Sequence, residues 1–313
     1  MENIQNKKTD IEKQLEILEI NQKKENPMGF AVILREFKKD KLATISFWIV
    51  VLLIAFVFIA SMFINMKELG RVDILRKYDV PSFNNFWDVL GRDAGGRSII
   101  GLLIVGARNS LIVGFSITTL TSTIGLFAGL CMGYYGGRVD SVLMRIVDFI
   151  GILPTMLIII AFVSIIPTYN LFSFIFIMTA FYWTGTARLV RSKALSEARR
   201  DYVSASKTMG TSDLEIMFKG ILPNISSIII VDATLALAGN VGIETSLSFL
   251  GFGLPASTPS LGTLIAYASK PEIIQYKLYV WLPAAILLLV IMLCINYIGQ
   301  ALRRASDAKQ RLG

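Results

Sequence analysis

The stretch LATISFWIVVLLIAFVFIASMFI, Leu42 to Ile64, runs for 23 residues without one charged side chain. A helix needs about 20 apolar residues to cross the hydrocarbon core of a bilayer. This segment is long enough to cross, and it sets the class of the molecule. Of 313 residues, 54% are hydrophobic and only 17% charged, against roughly a quarter charged in ordinary soluble domains. The chain therefore reads as an all-α polytopic membrane protein.

Outward from that segment, further apolar runs lie at about 109–133, 146–166, 171–187, 225–245 and 279–300. Together with 42–64 they predict six transmembrane helices. Residues 98–107 are also apolar, but ten residues cannot cross. They are expected to form a short helix at the outer interface, separated from the second span at Arg108. The 41 residues before the first span hold 9 Lys/Arg and 8 Asp/Glu, with no short apolar core and cleavage site. The first span is accordingly expected to stay as an anchor and not to leave as a signal peptide.

Basic residues fix the orientation. With six spans, residues 1–41, 134–145, 187–224 and 301–313 share one side and carry 22 of the 31 Lys/Arg. Basic loops stay cytoplasmic, so both termini are predicted inside. The net charge of +8 is then a topological signal with some contact to anionic lipid, and calls for no nucleic acid. The resulting organisation is a cytoplasmic tail over 1–41, a first span over 42–64 and an extracytoplasmic loop over 65–108. A core of spans over 109–300 follows, interrupted by a cytoplasmic loop at 188–224, and a cytoplasmic tail closes the chain at 301–313.

Within the first tail, Ile11, Leu15 and Leu18 form a weak helical stripe. Phe30, Ile33, Leu34 and Phe37 recur at helical spacing against Arg35, Lys38, Lys39 and Lys41, the pattern of an amphipathic helix lying in the inner interface.

The chain contains no histidine, which removes imidazole catalysis, His-metal sites and imidazole proton relays. Cys131 and Cys294 stand alone inside apolar runs and are expected to pack as small hydrophobes, with no metal spacing. Neither a GxxxxGK[ST] nor a GxGxxG phosphate cradle is present. Any nucleotide must be used by a partner.

Three features point to function. Gly125, Gly129 and Gly133 recur at four-residue spacing in the second span, which lets another helix approach by backbone packing. Asp232, Asn240 and Glu244 place polar groups in the fifth, where an acid persists only facing protein or water. They are candidates for lining a translocation pathway; for Glu244 a structural hydrogen bond is an equal alternative, and for Asp232 it is the preferred one. The 188–224 loop is too long and polar for a simple turn. Residues 196–209 are helix-compatible, and Gly210 fits the left-handed residue that ends a helix. Ser212 then caps a second helix with Asp213 and Glu215 in its first turn, expected to stop at Leu222-Pro223-Asn224. A helix, glycine, helix module on the cytoplasmic face is a surface for another protein to grip.

At this loop the sequence resembles the inner-membrane permease subunits of binding-protein-dependent ABC importers, in particular the C-type subunit of oligopeptide, dipeptide and nickel permeases. Ser204-Ala205-Ser206 takes the place of the family's EAA, Gly210 its glycine, and Ile221-Leu222-Pro223-Asn224 its closing segment, with Asp201-Tyr202-Val203 as the approach. Glutamate is absent from the motif. Resemblance extends to Gly106-Ala107-Arg108-Asn109-Ser110-Leu111, to Tyr134-Tyr135-Gly136-Gly137-Arg138, and to Glu244-Thr245-Ser246-Leu247-Ser248-Phe249-Leu250-Gly251-Phe252-Gly253 with Thr258-Pro259-Ser260-Leu261-Gly262. Of the family's GTDxxGRD, Asp93, Gly96 and Arg97 remain.

The resemblance implies the type I ABC importer permease fold in a bacterial cell membrane and a transport subunit that is not itself an enzyme. It implies assembly with a homologous permease subunit, two ATPase subunits and an extracytoplasmic peptide-binding protein. ATP and Mg would be used by the ATPases, with no cofactor or metal on this chain. Asp201, Tyr202, Ala205, Ser206, Met209, Gly210, Leu222 and Pro223 would form the contact through which the ATPases drive alternating access. The cargo would be oligopeptides; dipeptides, nickel or a metal chelate are alternatives within the same machinery. A self-contained secondary transporter would instead favour inverted repeats and broken midplane helices, which the sequence does not display.

Overall fold

Asp40 ends the basic tail and starts the first long helix. Its carboxylate accepts from the Ala43 N–H at 3.1 Å and caps α1 (Lys41–Met62). The computed structural model describes residues 35–312 apart from Thr168 and Ala256. The predicted stripe at Ile11, Leu15 and Leu18, and Phe30, Ile33 and Leu34 of the amphipathic segment, lie outside the described residues. α1 buries only Ala43, Val57 and Ser61. Leu42, Trp48, Leu52 and Phe56 point outward, an arrangement that suits a lipid surround and no other solvent.

α2 (Ile99–Tyr135) is the axis of the molecule. Its 37 residues correspond to about 55 Å at 1.5 Å per residue, well beyond the roughly 30 Å hydrocarbon core. The expected separate interfacial helix at 98–107 is corrected here: that segment is the first part of α2. No proline or cap interrupts it, and Asn109, beside Arg108, donates its amide to Pro259 O at 2.7 Å. A polar junction that finds a partner has no need of a break.

The apolar run predicted as one span over 146–166 is split. α3 (Gly137–Ile152) and α4 (Thr155–Ile165) meet at a 79° bend. Leu153, with ψ 137°, precedes Pro154, and a residue before proline is pushed out of the helical region while proline itself lacks the N–H. α5 (Leu171–Glu197) continues ten residues beyond the predicted end at Ala187. A break at 198–200 separates it from α6 (Asp201–Thr208), so the continuous helix expected over 196–209 does not form. The helical turn Asp213–Glu215 passes through a π-helical stretch, Ile216–Ile221, into α7 (Leu222–Phe249). The expected stop at Leu222-Pro223-Asn224 is therefore absent. Pro223 sits in the first turn of α7, where its missing N–H costs least. The Asn224 amide donates to Gly220 O at 3.1 Å.

Beyond α7 the chain folds back as α8 (Leu261–Ile265) and α9 (Pro271–Tyr276) before α10 (Leu278–Leu312). Among the described residues no strand forms; a single bridge joins Arg92 and Ser98. Among the described residues four helices are long and apolar enough to cross a membrane, or five with the bent α3–α4 pair as one. The structure is thus all-helical with four to five candidate spans.

The most extensive pairing is α2 with α5, and the glycine row is its cause. A β-carbon built on Gly129 would lie 2.6 Å from Val190 Cβ and 2.7 Å from Ala187 O. Gly125 and Gly133 meet the α5 backbone as closely, at Trp183 O and at Leu195 N. The two backbones touch where no side chain fits between them. Nearer its N-terminus α2 packs on α7, where a β-carbon on Gly114 would strike Val241.

Candidate functional site

The two ends of α2 separate the molecule into two functional regions. At its C-terminal end lies the helix-glycine-helix module. Val203, Ile216, Met217, Ile221 and Ile225 bury against Leu130, Tyr134, Val190 and Ala194. This apolar underside seats α6 on the α2–α5 pair. Polar ties add register: Tyr134 donates its hydroxyl to Asp213 Oδ1 at 2.6 Å, and the Lys207 ammonium stands 4.4 Å from the Tyr134 ring centre. Tyr202 donates to Glu197 Oε2 at 3.0 Å and accepts from the Asn224 amide at 3.1 Å, bridging the break before α6 and fixing it to the start of α7.

What remains outward is the tip. Gly210 has φ +80°, the left-handed conformation that glycine adopts without strain, and its N–H bonds Lys207 O. Asp201, Ala205, Met209 and Pro223 are exposed, while Tyr202, Ser206 and Leu222 are half-buried. Met209 is 77% exposed and Leu214, five residues on, is 64% exposed. Two large apolar side chains displayed at the apex of a polar turn are costly in water and suit a partner's groove.

At the N-terminal end of α2 the polar groups turn inward. Glu244 on α7 is 0% exposed. Its carboxylate accepts from Ser110 Oγ of α2 at 2.9 Å and from Ser248 Oγ one turn on at 2.8 Å. Each serine oxygen in turn accepts a backbone N–H from the returning segment: Leu261 N to Ser110 at 3.1 Å, and Leu254 N to Ser248 at 3.2 Å. One acid thereby ties α2, α7 and residues 254–261 together. Asn240 donates to Thr118 Oγ1 at 2.9 Å, also across to α2. Asp232 accepts from Thr186 Oγ1 of α5 at 2.8 Å and is only half-buried. Asp232, Asn240 and Glu244 thus each bond a neighbouring helix.

The loop between α1 and α2 closes over this end. Asp93, fully buried, accepts from the Gly95 and Arg97 N–H groups at 2.8 Å each. It also pairs with the Arg97 guanidinium at 2.7 Å and accepts from Tyr267 Oη at 2.9 Å. Burial, with Asp93 next to it, pushes the Tyr267 hydroxyl up to about 12. Asp88 pairs with Arg92 at 2.7 Å and Arg76 at 2.9 Å. Gly96, at φ +73°, leaves no room for a β-carbon against Asp73 O. The residues Asp93, Gly96 and Arg97 singled out in the sequence are therefore neighbours, and the tyrosine that joins them to α9's approach was not visible as their partner.

This helical arrangement has a known counterpart. The fold matches a chain of the MetNI methionine ABC transporter in an inward-facing conformation, with a TM-score of 0.54 and 23% identity, covering 67% of this chain and 97% of that one. Residues 122–311 match the family model for the binding-protein-dependent transport system inner membrane component, and residues 30–73 that for the N-terminal TM domain of oligopeptide transport permease C. The oligopeptide transport system permease protein OppC of Lactococcus lactis subsp. lactis is 49% identical over 89% of this chain and 94% of its own length. OppC of Bacillus subtilis is 34% identical over 88% of each, and the dipeptide permease DppC of Lactococcus lactis subsp. cremoris 30% over 88% and 89%. The chain belongs to the inner-membrane permease family of binding-protein-dependent transport systems, within its oligopeptide permease C branch.

Proposed function

We propose that this chain is one of two homologous permease subunits that form the translocation pathway of an ATP-driven importer for oligopeptides delivered by an extracytoplasmic binding protein. The observation that carries the coupling half of this reading is the exposed apex around Met209 and Gly210, seated on a rigid underside at one end of α2. Two ATPase subunits, using ATP and Mg, grip that apex and close together. The push passes through α6 and the Tyr202–Glu197–Asn224 ties into α5 and α7. The OppC relatives at 49% and 34% identity favour oligopeptide cargo; the DppC relative at 30% keeps dipeptides as a second reading within the same machinery.

The same proposal takes α1, α2, the bent α3–α4 pair, α5, α7 and α10 as six crossings in a bacterial cell membrane, with both termini cytoplasmic. α5 carries Arg188, Arg191 and Lys193 in its second half, which extends past the inner surface. Asp232, Asn240 and Glu244 serve as braces between crossings, since each of them bonds a neighbouring helix.

Two measurements test the proposal. Purification in mild detergent should recover a second permease, ATPase subunits and a binding protein, and the assembly should hydrolyse ATP faster with peptide-loaded binding protein. Single cysteines at Asn84 and Ser269 should react with a membrane-impermeant maleimide in intact cells, while those at Ser196 and Arg304 should react only after lysis. Recovery of the chain alone, or labelling of position 196 from outside, would overturn the reading.

A further inference from the structure

Three cavities open at or near the sealed end of α2, and their charges distinguish them. The largest, about 820 Å³ between the end of α1 and the loop, is lined by both signs, among them Glu68, Asp73 and Arg71. Another, of about 540 Å³ between α7 and α10, presents no charged side chain. The third, about 340 Å³, lies between the returning segment and the start of α2. Its charged lining residues among those described are Arg97 and Lys270, both cationic. Arg97 is already shared with Asp93. Lys270 is exposed and has no salt bridge among the described residues, so it carries the surplus positive charge. Leu254, Pro259 and Leu264 supply an apolar wall, and the Tyr267 ring closes one side.

Binding pockets span roughly 300–1,000 Å³, so this one has room for the end of a chain molecule and little more. A pocket with an apolar wall, one unpaired ammonium and no acid complements an apolar residue that bears a carboxylate. On the reading above, the cargo is a peptide, and every unmodified peptide ends in a carboxylate. We propose that the pocket bounded by Arg97, Lys270 and Leu254 receives the C-terminal residue and carboxylate of the peptide as it enters the permease, with Lys270 as the charge that selects it. Arg97, held by Asp93 and Tyr267, forms the rigid side of the pocket. Lys270, on its exposed rim, is the arm that meets the cargo. The inference rests on peptide import and adds an end-specific contact.

The test uses the complete reconstituted importer in proteoliposomes, with one apolar pentapeptide supplied as the free acid and as the C-terminal amide. The preference of the binding protein cancels when each variant is compared with wild type. A charge-assisted contact on a partly exposed rim is worth about 1 kcal/mol, or about fivefold. Lys270→Met should lower free-acid uptake by about that factor and leave amide uptake within about twofold, and Lys270→Arg should restore the acid. An equal loss for both peptides, or no change in either, would overturn the pocket's role while leaving peptide import intact. Failure of the wild-type assembly to accumulate either peptide would instead sink the importer reading itself.

Discussion

The two ends of α2 are built on opposite plans. At the end that carries Gly133, apolar packing lies underneath and the polar apex is displayed, with Met209 and Gly210 outward. At the end that carries Ser110, the polar groups are inside, with Glu244 wholly enclosed and hydroxyls on every accessible oxygen. A surface that must be handed to a partner keeps its own contacts beneath it. A seal that must hold elements together against one another hides the strongest bonds, because a hydrogen bond is strengthened where water is excluded. Between the two, the glycine row brings the α2 and α5 backbones into contact as one packed rod.

The largest effect is expected where the α2–α5 rod is destroyed. Gly129→Val places a branched side chain where a single β-carbon already meets Val190 and Ala187 O. Neighbouring backbone cannot yield as a flexible side chain can, so the cost should reach or exceed the upper end of overpacking, about 3 kcal/mol. Membrane-inserted protein should fail to elute as a single species in detergent, and both ends should lose order together.

Next comes the seal. Glu244→Leu removes the acceptor of two buried hydroxyls, each worth about 1–3 kcal/mol when left unpaired. Glu244→Gln keeps the shape and one carbonyl acceptor. Thermal unfolding in detergent should place the leucine variant well below wild type and the glutamine variant between them, while ATPase binding at the far end is retained. Equal midpoints for all three proteins would show that Glu244 ties nothing.

Gly210→Val acts on the displayed end. Forcing a β-branched residue to φ near +80° costs about 1–2 kcal/mol locally, too little to unfold the chain. The permease should insert and keep its melting temperature within a few degrees, yet ATPase stimulation by loaded binding protein should be lost.

The smallest effect concerns the loop over the sealed end. Burial works to raise the Asp88 carboxyl, but hydrogen bonds and charge from Arg76 and Arg92 outweigh it and hold the group below its ordinary value. The folded loop therefore gains stability that is fully present above the unfolded pKa near 4 and is lost as pH falls through the depressed value. Protease protection of residues 73–98 should be flat from neutral pH to about pH 5 and decline only in stronger acid. In Asp88→Asn the protection should be lower at neutral pH and no longer depend on acid through this site.

Much of this architecture was legible from one dimension. The uncharged 23-residue run, the basic loops, the four-residue glycine spacing and the Gly210 turn are local signals, and local signals survive without knowledge of neighbours. Where prediction failed the causes differ: Leu153-Pro154 splits the 146–166 run by a local steric rule, whereas at Arg108 a distant partner changed the outcome. Arg108 looked like a junction that ends a short helix, yet α2 runs straight through it beside Asn109, whose amide finds a carbonyl 150 residues away at Pro259. The segment before span five looked like a stop at Pro223, yet the chain passes through a π-helical stretch and α7 continues.

Residue order alone places this chain in a bilayer and marks which loops are basic and which glycines can bring helices into contact. Those properties follow from composition and period, and need no partner. It takes the packed helices to make Ser110, Glu244, Ser248 and Leu261 one buried brace, to close the loop over it through Asp93 and Tyr267, and to leave Lys270 beside an apolar wall with no salt bridge among the described residues. Hydrogen bonds across separations of 134 and 174 residues depend on which faces of α2, α7 and the returning segment meet, and that is fixed by close packing, which no local pattern encodes.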